Sequence, residues 1–356
     1  MKDQFRIDSH KLMFHPRTVA RWLEGETIYP LYMELSPSGA CNHRCSFCAL
    51  DYLEYRPRFL STEILKERVH ELGRLGLKSL MLGGEGEPLL HRDCAGIISH
   101  AKGCGIDVAL TTNGVLLDRN FCEQALTSLS WIKASINAGL PETYARIHRS
   151  STHDFDTVLN NLSAAVEFGR KVGSACVIGA QIVLLPENAA EVENLAHLCR
   201  EAGLSYLVIK PYSQHHKSLT REFAHIDYTP FLPLLERLEA ANDESFRVIL
   251  RDKTIRKMQR EKRGYGRCLA LPFWSYVDAG GDVWGCSSHM GDERYFYGNI
   301  NHETFQEIWL GERRRRSLEF VAEELDPETC RMNCRMDEIN LYLWELTHST
   351  PHINFI

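Results

Sequence analysis

"CNHRCSFC" (residues 41–48) places Cys41, Cys45 and Cys48 within eight residues. It follows closely on "LYMEL" (31–35), an apolar run that reads as a strand, so the three thiols sit on the loop leaving that strand. Three thiolates in C-x3-C-x2-C spacing on one short loop can reach three corners of a single compact cluster. A structural zinc site usually takes four protein ligands, whereas three thiolates on a cubane iron–sulfur cluster leave one iron open to an outside ligand. The spacing therefore points to a catalytic cluster rather than a structural staple.

Outward from this loop the chain alternates short apolar runs with longer amphipathic segments. "SLMLGG" (79–84), "DVALTT" (107–112), "WIKASI" (131–136), "CVIGAQIVLL" (176–185) and "YLVIK" (206–210) read as further strands. Between them, "STEILKERVHELGRLG" (61–76) and "AAEVENLAHLCREAG" (189–203) carry apolar residues at helical spacing and end in glycine. Such βα alternation predicts a parallel sheet with crossover helices, in a partial barrel or a doubly wound sheet, and ligands then collect beyond the carboxyl ends of the strands.

The bulk composition fits an ordinary soluble enzyme or binding protein: 356 residues, 44% hydrophobic, 25% charged and a net charge of -6. No apolar run approaches the roughly 18 residues of a membrane span, and the N-terminus is too polar for a secretory signal, so a cytoplasmic protein with no membrane partner is expected. The acidic balance argues against nucleic acid as a partner. In a reducing compartment the twelve cysteines are not expected to pair as disulfides, and the clustered ones point to metal or redox chemistry.

The cysteine loop after the first strand resembles that of the radical SAM superfamily. The resemblance implies a partial (βα)6 barrel and a 4Fe-4S cluster on Cys41, Cys45 and Cys48. It also implies S-adenosyl-L-methionine chelating the open iron, cleaved by one electron to a 5′-deoxyadenosyl radical. Phe47 matches the family's aromatic position near the adenine. "GGEGEP" (83–88) ends the second strand where the family has a glycine-rich motif contacting the methionyl amino group. Gly83 and Gly84 would expose backbone to the ligand, and Glu85 and Glu87 compete to pair with the ammonium. Ser135 and Asn137 in "SINAG" (135–139) are candidates for ribose hydroxyls or carboxylate, and Tyr212 in "IKPYS" (209–213) for the adenine pocket. Lys210 is a candidate for removing a substrate proton.

A second cysteine set follows. "CLALPFWSYVDAGGDVWGC" (268–286) has the form C-x12-G-x4-C, with hairpin chemistry at Gly280, Gly281 and Asp282, and "CRMNC" (330–334) adds two more thiols. Cys268, Cys286, Cys330 and Cys334 can close a cluster completely, and such a cluster moves electrons rather than chelating substrate. The pattern resembles the auxiliary-cluster domains called SPASM and, in shorter form, twitch. "YGNINHETFQEIW" (297–309) matches the segment after their hairpin. A four-thiolate zinc site is the alternative. The expected organisation is an N-terminal extension (1–26), a radical SAM core (27–225), a helical linker (226–262) and a small twitch-type α+β domain (263–356).

The function implied is an oxidoreductase or isomerase. It would abstract hydrogen from a C–H bond of a small polar substrate (sugar, aminocyclitol or nucleoside-like), with the auxiliary 4Fe-4S cluster accepting an electron and a flavodoxin or ferredoxin as one-electron donor. Maturation of a ribosomal peptide, radical methylation of RNA and non-catalytic electron carriage are the alternatives. The scattered cysteines read as small buried residues, His215-His216 as a polar loop beyond the sixth strand, and the basic run 251–267 and "RRRR" (313–316) as solvated faces.

Overall fold

Each of the six apolar runs between residues 31 and 211 forms a strand in the computed structural model, which describes residues 5–240, 242–258, 260 and 262–355. The strands are β1 (Tyr32–Leu35), β2 (Ser79–Leu82), β3 (Asp107–Thr112), β4 (Leu129–Ser135), β5 (Val177–Leu184) and β6 (Tyr206–Pro211). The helices of this half are α1 (Pro16–Leu23), α2 (Thr62–Leu75), α3 (Cys94–Gly103), α4 (Arg119–Ala125), α5 (Pro141–His148), α6 (Thr152–Val172) and α7 (Val192–Glu201). Sequence signals set their ends: the Ser61 hydroxyl accepts from the Ile64 N–H to start α2, and left-handed Gly76 stops it.

The stretch read as a helical linker contains α8 (Leu232–Ala240) and α9 (Asp252–Met258), and between them a strand, β7 (Arg247–Leu250), paired parallel to β6. The cysteine hairpin supplies β8 (Trp274–Val277) and β9 (Asp282–Trp284), followed by β10 (Phe296–Asn299), α10 (Phe305–Leu310), α11 (Glu312–Glu323) and α12 (Asp337–Thr347). All strands join one sheet in the order β10-β9-β8-β1-β2-β3-β4-β5-β6-β7, parallel from β8 through β7 and antiparallel in the hairpin and β10. The hairpin thus extends the core sheet across β1, with Tyr32 beside Trp274 and Glu34 beside Tyr276.

Strand alternation assigns the two faces. Leu82, Leu110, Ile132, Ala134, Ile182 and Ile209 are completely buried in the core against the helices, each large aliphatic contributing about 1.5–3 kcal/mol. Registry puts Glu34, Met81, Thr111, Lys133, Ser135, Gln181 and Lys210 on the opposite face, which lines the lumen of the curved sheet. The segment Cys330–Arg335 crosses the open side of that lumen. At one end Arg331 donates from Nη2 to the Ser213 carbonyl after β6, 2.5 Å away; at the other Arg335 pairs with Glu34 of β1. No helix among the described residues is long and apolar enough to cross a membrane.

Candidate active site

The loop carrying Cys41, Cys45 and Cys48 is held by its own backbone. The Arg44 and Ser46 N–H groups donate to the His148 and Ile147 carbonyls (3.0 and 2.8 Å), capping the C-terminus of α5. The Cys48 carbonyl accepts from Ser218, and Asp51 accepts from the Leu219 and Thr220 N–H groups, tying the loop to the segment after β6. The three thiols are close enough to act on one another electrostatically, and burial pushes all three up, Cys41 to about 11. Cys45 Sγ lies 3.3 Å from His148 Nδ1. The His148 ring, neutral because burial lowers it to about 3, is oriented by an Nε2–H bond to the Ile136 carbonyl.

The two carboxylates of "GGEGEP" differ in surroundings. Glu87 is buried and accepts from the Thr112 hydroxyl (2.6 Å) and from the Asn113 and Leu89 N–H groups (2.8 and 3.2 Å), while its own N–H donates to the Ala40 carbonyl (2.8 Å). Glu87 therefore ties the end of β3 to the cysteine loop. Glu85 accepts from the Ala279 N–H (2.9 Å) and from Arg58, whose side chain is 40% exposed. Burial, then Asp278, pushes Glu85 up to about 7 against the opposing pull of Arg58. Gly83 and Gly84 end β2, and at Gly86 a Cβ would strike the carbonyls of Ser38 and Ala40, so the loops can meet only through glycine.

Further along the lumen, Ser135 Oγ accepts from Gln181 Nε2 (2.7 Å), and Gln181 Oε1 accepts from Lys210 Nζ (3.1 Å). Asn137 stands apart from this belt. It is buried in the left-handed conformation, Oδ1 accepting from the Val183 N–H and its carbonyl from Asn188. These bonds make Asn137 a clamp between the ends of β4 and β5, rather than a side chain opening to a ligand. Phe47 packs with Tyr212, Val183 and Ile147 in one apolar cluster at the strand ends, so the two aromatic candidates do come together.

The four late thiols also form one set, each acting on others of the four and each raised by burial, Cys268 to about 12 and Cys330 to about 11. Left-handed Gly281 makes the hairpin turn. Asn340 accepts from the Leu269 and Ala270 N–H groups and donates to Cys268 Sγ (3.6 Å). The basic run 251–267 is only in part a solvated face. Arg263 pairs with Asp337 (2.6 Å) and donates to the Cys330 and Arg331 carbonyls, while Lys257 pairs with Glu338 and Asp337. Within "RRRR", Arg314 is buried over the Trp309 ring, and its neighbours pair with Glu303 and Glu312. The charge pattern alone could not separate these internal cations from solvated ones.

Sequence reasoning missed Tyr52, Arg58, Lys133 and Arg331. Tyr52 lies between the two thiol sets: its phenol is pushed up by burial, then by Glu85, Asp51, Cys286 and Cys48. Its ring stacks on His215, which stacks on His216, and His216 approaches His289. The His215-His216 loop is thus partly internal, with His215 buried. Tyr52 Oη and His215 Nε2 are buried without hydrogen-bond partners, which leaves both free to bond a group brought to them. Only Arg331, inside "CRMNC", carried a sequence signal, being bracketed by cysteines. Both thiol sets fit iron–sulfur clusters: within each, the thiols lie close enough to act on one another, so one cluster can take them together as thiolates once its metal cations displace the protons.

The family model described as the radical SAM superfamily matches residues 35–199, and that of the SPASM iron-sulfur cluster-binding domain matches 268–335. GTP 3′,8-cyclase of Aquifex aeolicus is 31% identical over 184 residues, 50% of this chain and 55% of its own length. GTP 3′,8-cyclase of Stenotrophomonas maltophilia is 37% identical over 120 residues, 33% of this chain and 36% of its own. The matched regions span less than two thirds of these curated relatives. Among solved structures, Streptococcus suis SuiB bound to S-adenosylmethionine covers 96% of this chain and 80% of its own at a TM-score of 0.66 and 16% identity. A structure of anSMEcpe with bound AdoMet covers 88% of each at 0.60 and 20%. At these identities the likeness is one of fold. A parallel core with its cysteine loop and a second thiol set on an antiparallel extension agree with both family models: the chain is a radical SAM enzyme with a C-terminal SPASM-type domain, whose cofactors are 4Fe-4S clusters and S-adenosylmethionine.

Proposed function

We propose that this enzyme removes a hydrogen atom from a C–H bond of a small polar substrate of the sugar, aminocyclitol or nucleoside kind. The late thiol set would carry the electron acceptor, and the outcome would be dehydrogenation or a related oxidation or isomerisation. The observation that carries this reading is the position of the turn that holds Tyr52: it follows Cys48 of one set by a few residues, and Leu50 and Leu53 on either side of Tyr52 pack in the same cluster as Cys268, Cys286 and Cys334 of the other. A substrate at Tyr52 and His215 would lie between the two redox centres.

In this reading Cys41, Cys45 and Cys48 hold the cluster with the open iron, and Cys268, Cys286, Cys330 and Cys334 hold the closed one. When bound, the open-iron cluster with S-adenosylmethionine supplies one-electron cleavage of the sulfonium and hydrogen-atom abstraction. Glu85 pairs with the ammonium of the methionyl group, beside Gly83 and Gly84; Phe47 and Tyr212 flank the adenine; Ser135 faces the ribose. Glu87 and Asn137 position these groups. Tyr52 and His215 offer hydrogen bonds to the substrate, and Cys330–Arg335 closes the lumen against water. A flavodoxin or ferredoxin would deliver the electron. The nucleotide named in the sequence relatives supports the nucleoside arm. Peptide modification is the second reading, supported by the shared fold of SuiB bound to precursor peptide SuiA over 95% of this chain.

Anaerobic reconstitution tests the proposal. About eight irons per chain are expected, with 5′-deoxyadenosine formed from S-adenosylmethionine only when a reductant is present. Deuterium from a labelled substrate should then appear in that product. Intact clusters with no 5′-deoxyadenosine would favour an electron carrier instead, and transfer from a peptide alone would favour the second reading.

A further inference from the structure

We propose that the lumen holds a seat for an anionic group of the substrate, a carboxylate or a phosphate, formed by Lys133 on β4, Lys210 on β6 and Arg331 between the last two cysteines. The inference rests on the proposed function in taking the lumen as the substrate site, and it narrows the substrate class to anions.

Lys133 and Lys210 point to the same face of the sheet, joined by the registered residues Ser135 and Gln181. Their partners are uncharged: Lys210 Nζ donates to Gln181 Oε1 (3.1 Å), and Lys133 Nζ sits 5.2 Å from the Trp131 ring centroid. Among the described residues, the charges acting on them are those of cations, Arg251 and Lys11 for Lys133, and Lys133, Arg251 and Arg331 for Lys210. Asp8, beside Arg251, and Glu34, on the same face of the sheet, are committed elsewhere. Asp8 accepts from Arg251, the Lys253 N–H and Thr254, and Glu34 pairs with Arg335 and accepts from Tyr32. Arg331 gives Nη2 to the Ser213 carbonyl and leaves a buried Nε without a partner. Cations set this deep ordinarily come with anions. Here neutral acceptors hold the cations in place and leave the opposite charge to a ligand. Both lysines keep partial access to solvent, so an entering ligand can reach them.

This seat reassigns Lys210. Alone, burial and the neighbouring cations push its ammonium well below the usual lysine range, which suits a proton acceptor. With an anion bound it is charged and serves as a clamp.

The test is calorimetric titration of the reconstituted full chain, at constant ionic strength and saturating S-adenosylmethionine, with inorganic pyrophosphate in one arm and succinate in the other. One anion should bind at one per chain, and the arm that binds identifies phosphate or carboxylate. Lys210→Gln and Lys133→Gln should each weaken it at least about tenfold, Lys210→Arg should restore it, and Lys66→Gln on the outer face of α2 should leave it unchanged. Failure of both anions to bind, equal binding by both Gln variants and the wild type, or displacement of the anion by S-adenosylmethionine would each overturn the proposal. Iron content and circular dichroism identify a variant that fails to fold, in which case the other lysine variant decides. 5′-Deoxyadenosine formation in the same samples is read separately, so its absence with anion binding intact would count against the function proposed for the cysteine loop and not against the seat.

Discussion

Replacing Glu87 by alanine should loosen the cysteine loop far more than the same change at Glu85. Glu87→Ala strands three donors inside the protein, the Thr112 hydroxyl and the Asn113 and Leu89 N–H groups. An unsatisfied buried donor costs about 1–3 kcal/mol. Relief of the desolvation that raises the Glu87 carboxyl offsets part of this. A net loss of about 3 kcal/mol follows, roughly two powers of ten in the folding equilibrium. Glu85→Ala frees the half-exposed Arg58 to turn to water and strands only the Ala279 N–H, a loss of about 1 kcal/mol. Anaerobic urea unfolding followed by circular dichroism reads both, with iron content as the second measurement. Equal losses, or a smaller loss at Glu87, would refute the assignment of Glu87 as the tie between β3 and the loop.

Three further outcomes are expected. Glu85 is raised from 4.5 to about 7 in the folded state, so between those pH values the native chain holds a proton that the unfolded chain has lost; the contribution of Glu85 to stability is full below 4.5, falls by about 3 kcal/mol as pH rises to 7, and levels off above. Glu85→Gln should remove that slope from urea midpoints taken across pH 5 to 8, and parallel profiles for the two proteins would contradict it. Gly281→Ala forces a side chain into the left-handed turn (φ +89°) and against Asn301 and Asn299; a loss of about 1–3 kcal/mol with depleted iron is expected, and unchanged iron and stability would show that the hairpin tolerates the strain. Cys286→Ala should reduce iron by about four atoms per chain while Cys41, Cys45 and Cys48 keep theirs, and full retention would mean that the late set holds no cluster.

The period-two and helical patterns were enough to place six strands and their crossover helices, because strand and helix faces must be apolar wherever they enter a core. Cysteine spacing likewise announced the first thiol set, since a loop a few residues long cannot carry its thiols far apart, while the late set, spread from Cys268 to Cys334, was legible through its hairpin spacing and the family resemblance. β7 escaped notice because "RVIL" is only four residues long and lies next to a basic run. Equally hidden was the continuity of the sheet through β8 and β1, a pairing between segments more than two hundred residues apart.

Local sequence names chemical groups, and tertiary contacts decide their partners. Glu85 and Glu87 are indistinguishable as letters; Thr112, Asn113 and Ala40 make one a tie, while Arg58 and Ala279 leave the other at the mouth of the lumen. Arg251, Arg263 and Arg314 read as surface charge until Asp8, Asp337 and the Trp309 ring come to meet them. Lys133 and Lys210 gained significance only when folding brought them to one face, where the Glu34 carboxylate is taken up by Arg335. The sequence by itself determined the parallel core and which thiols group together. The three-dimensional packing alone decided which charges are balanced inside the protein, because Coulomb energy and desolvation depend on spatial neighbours and burial rather than on order along the chain.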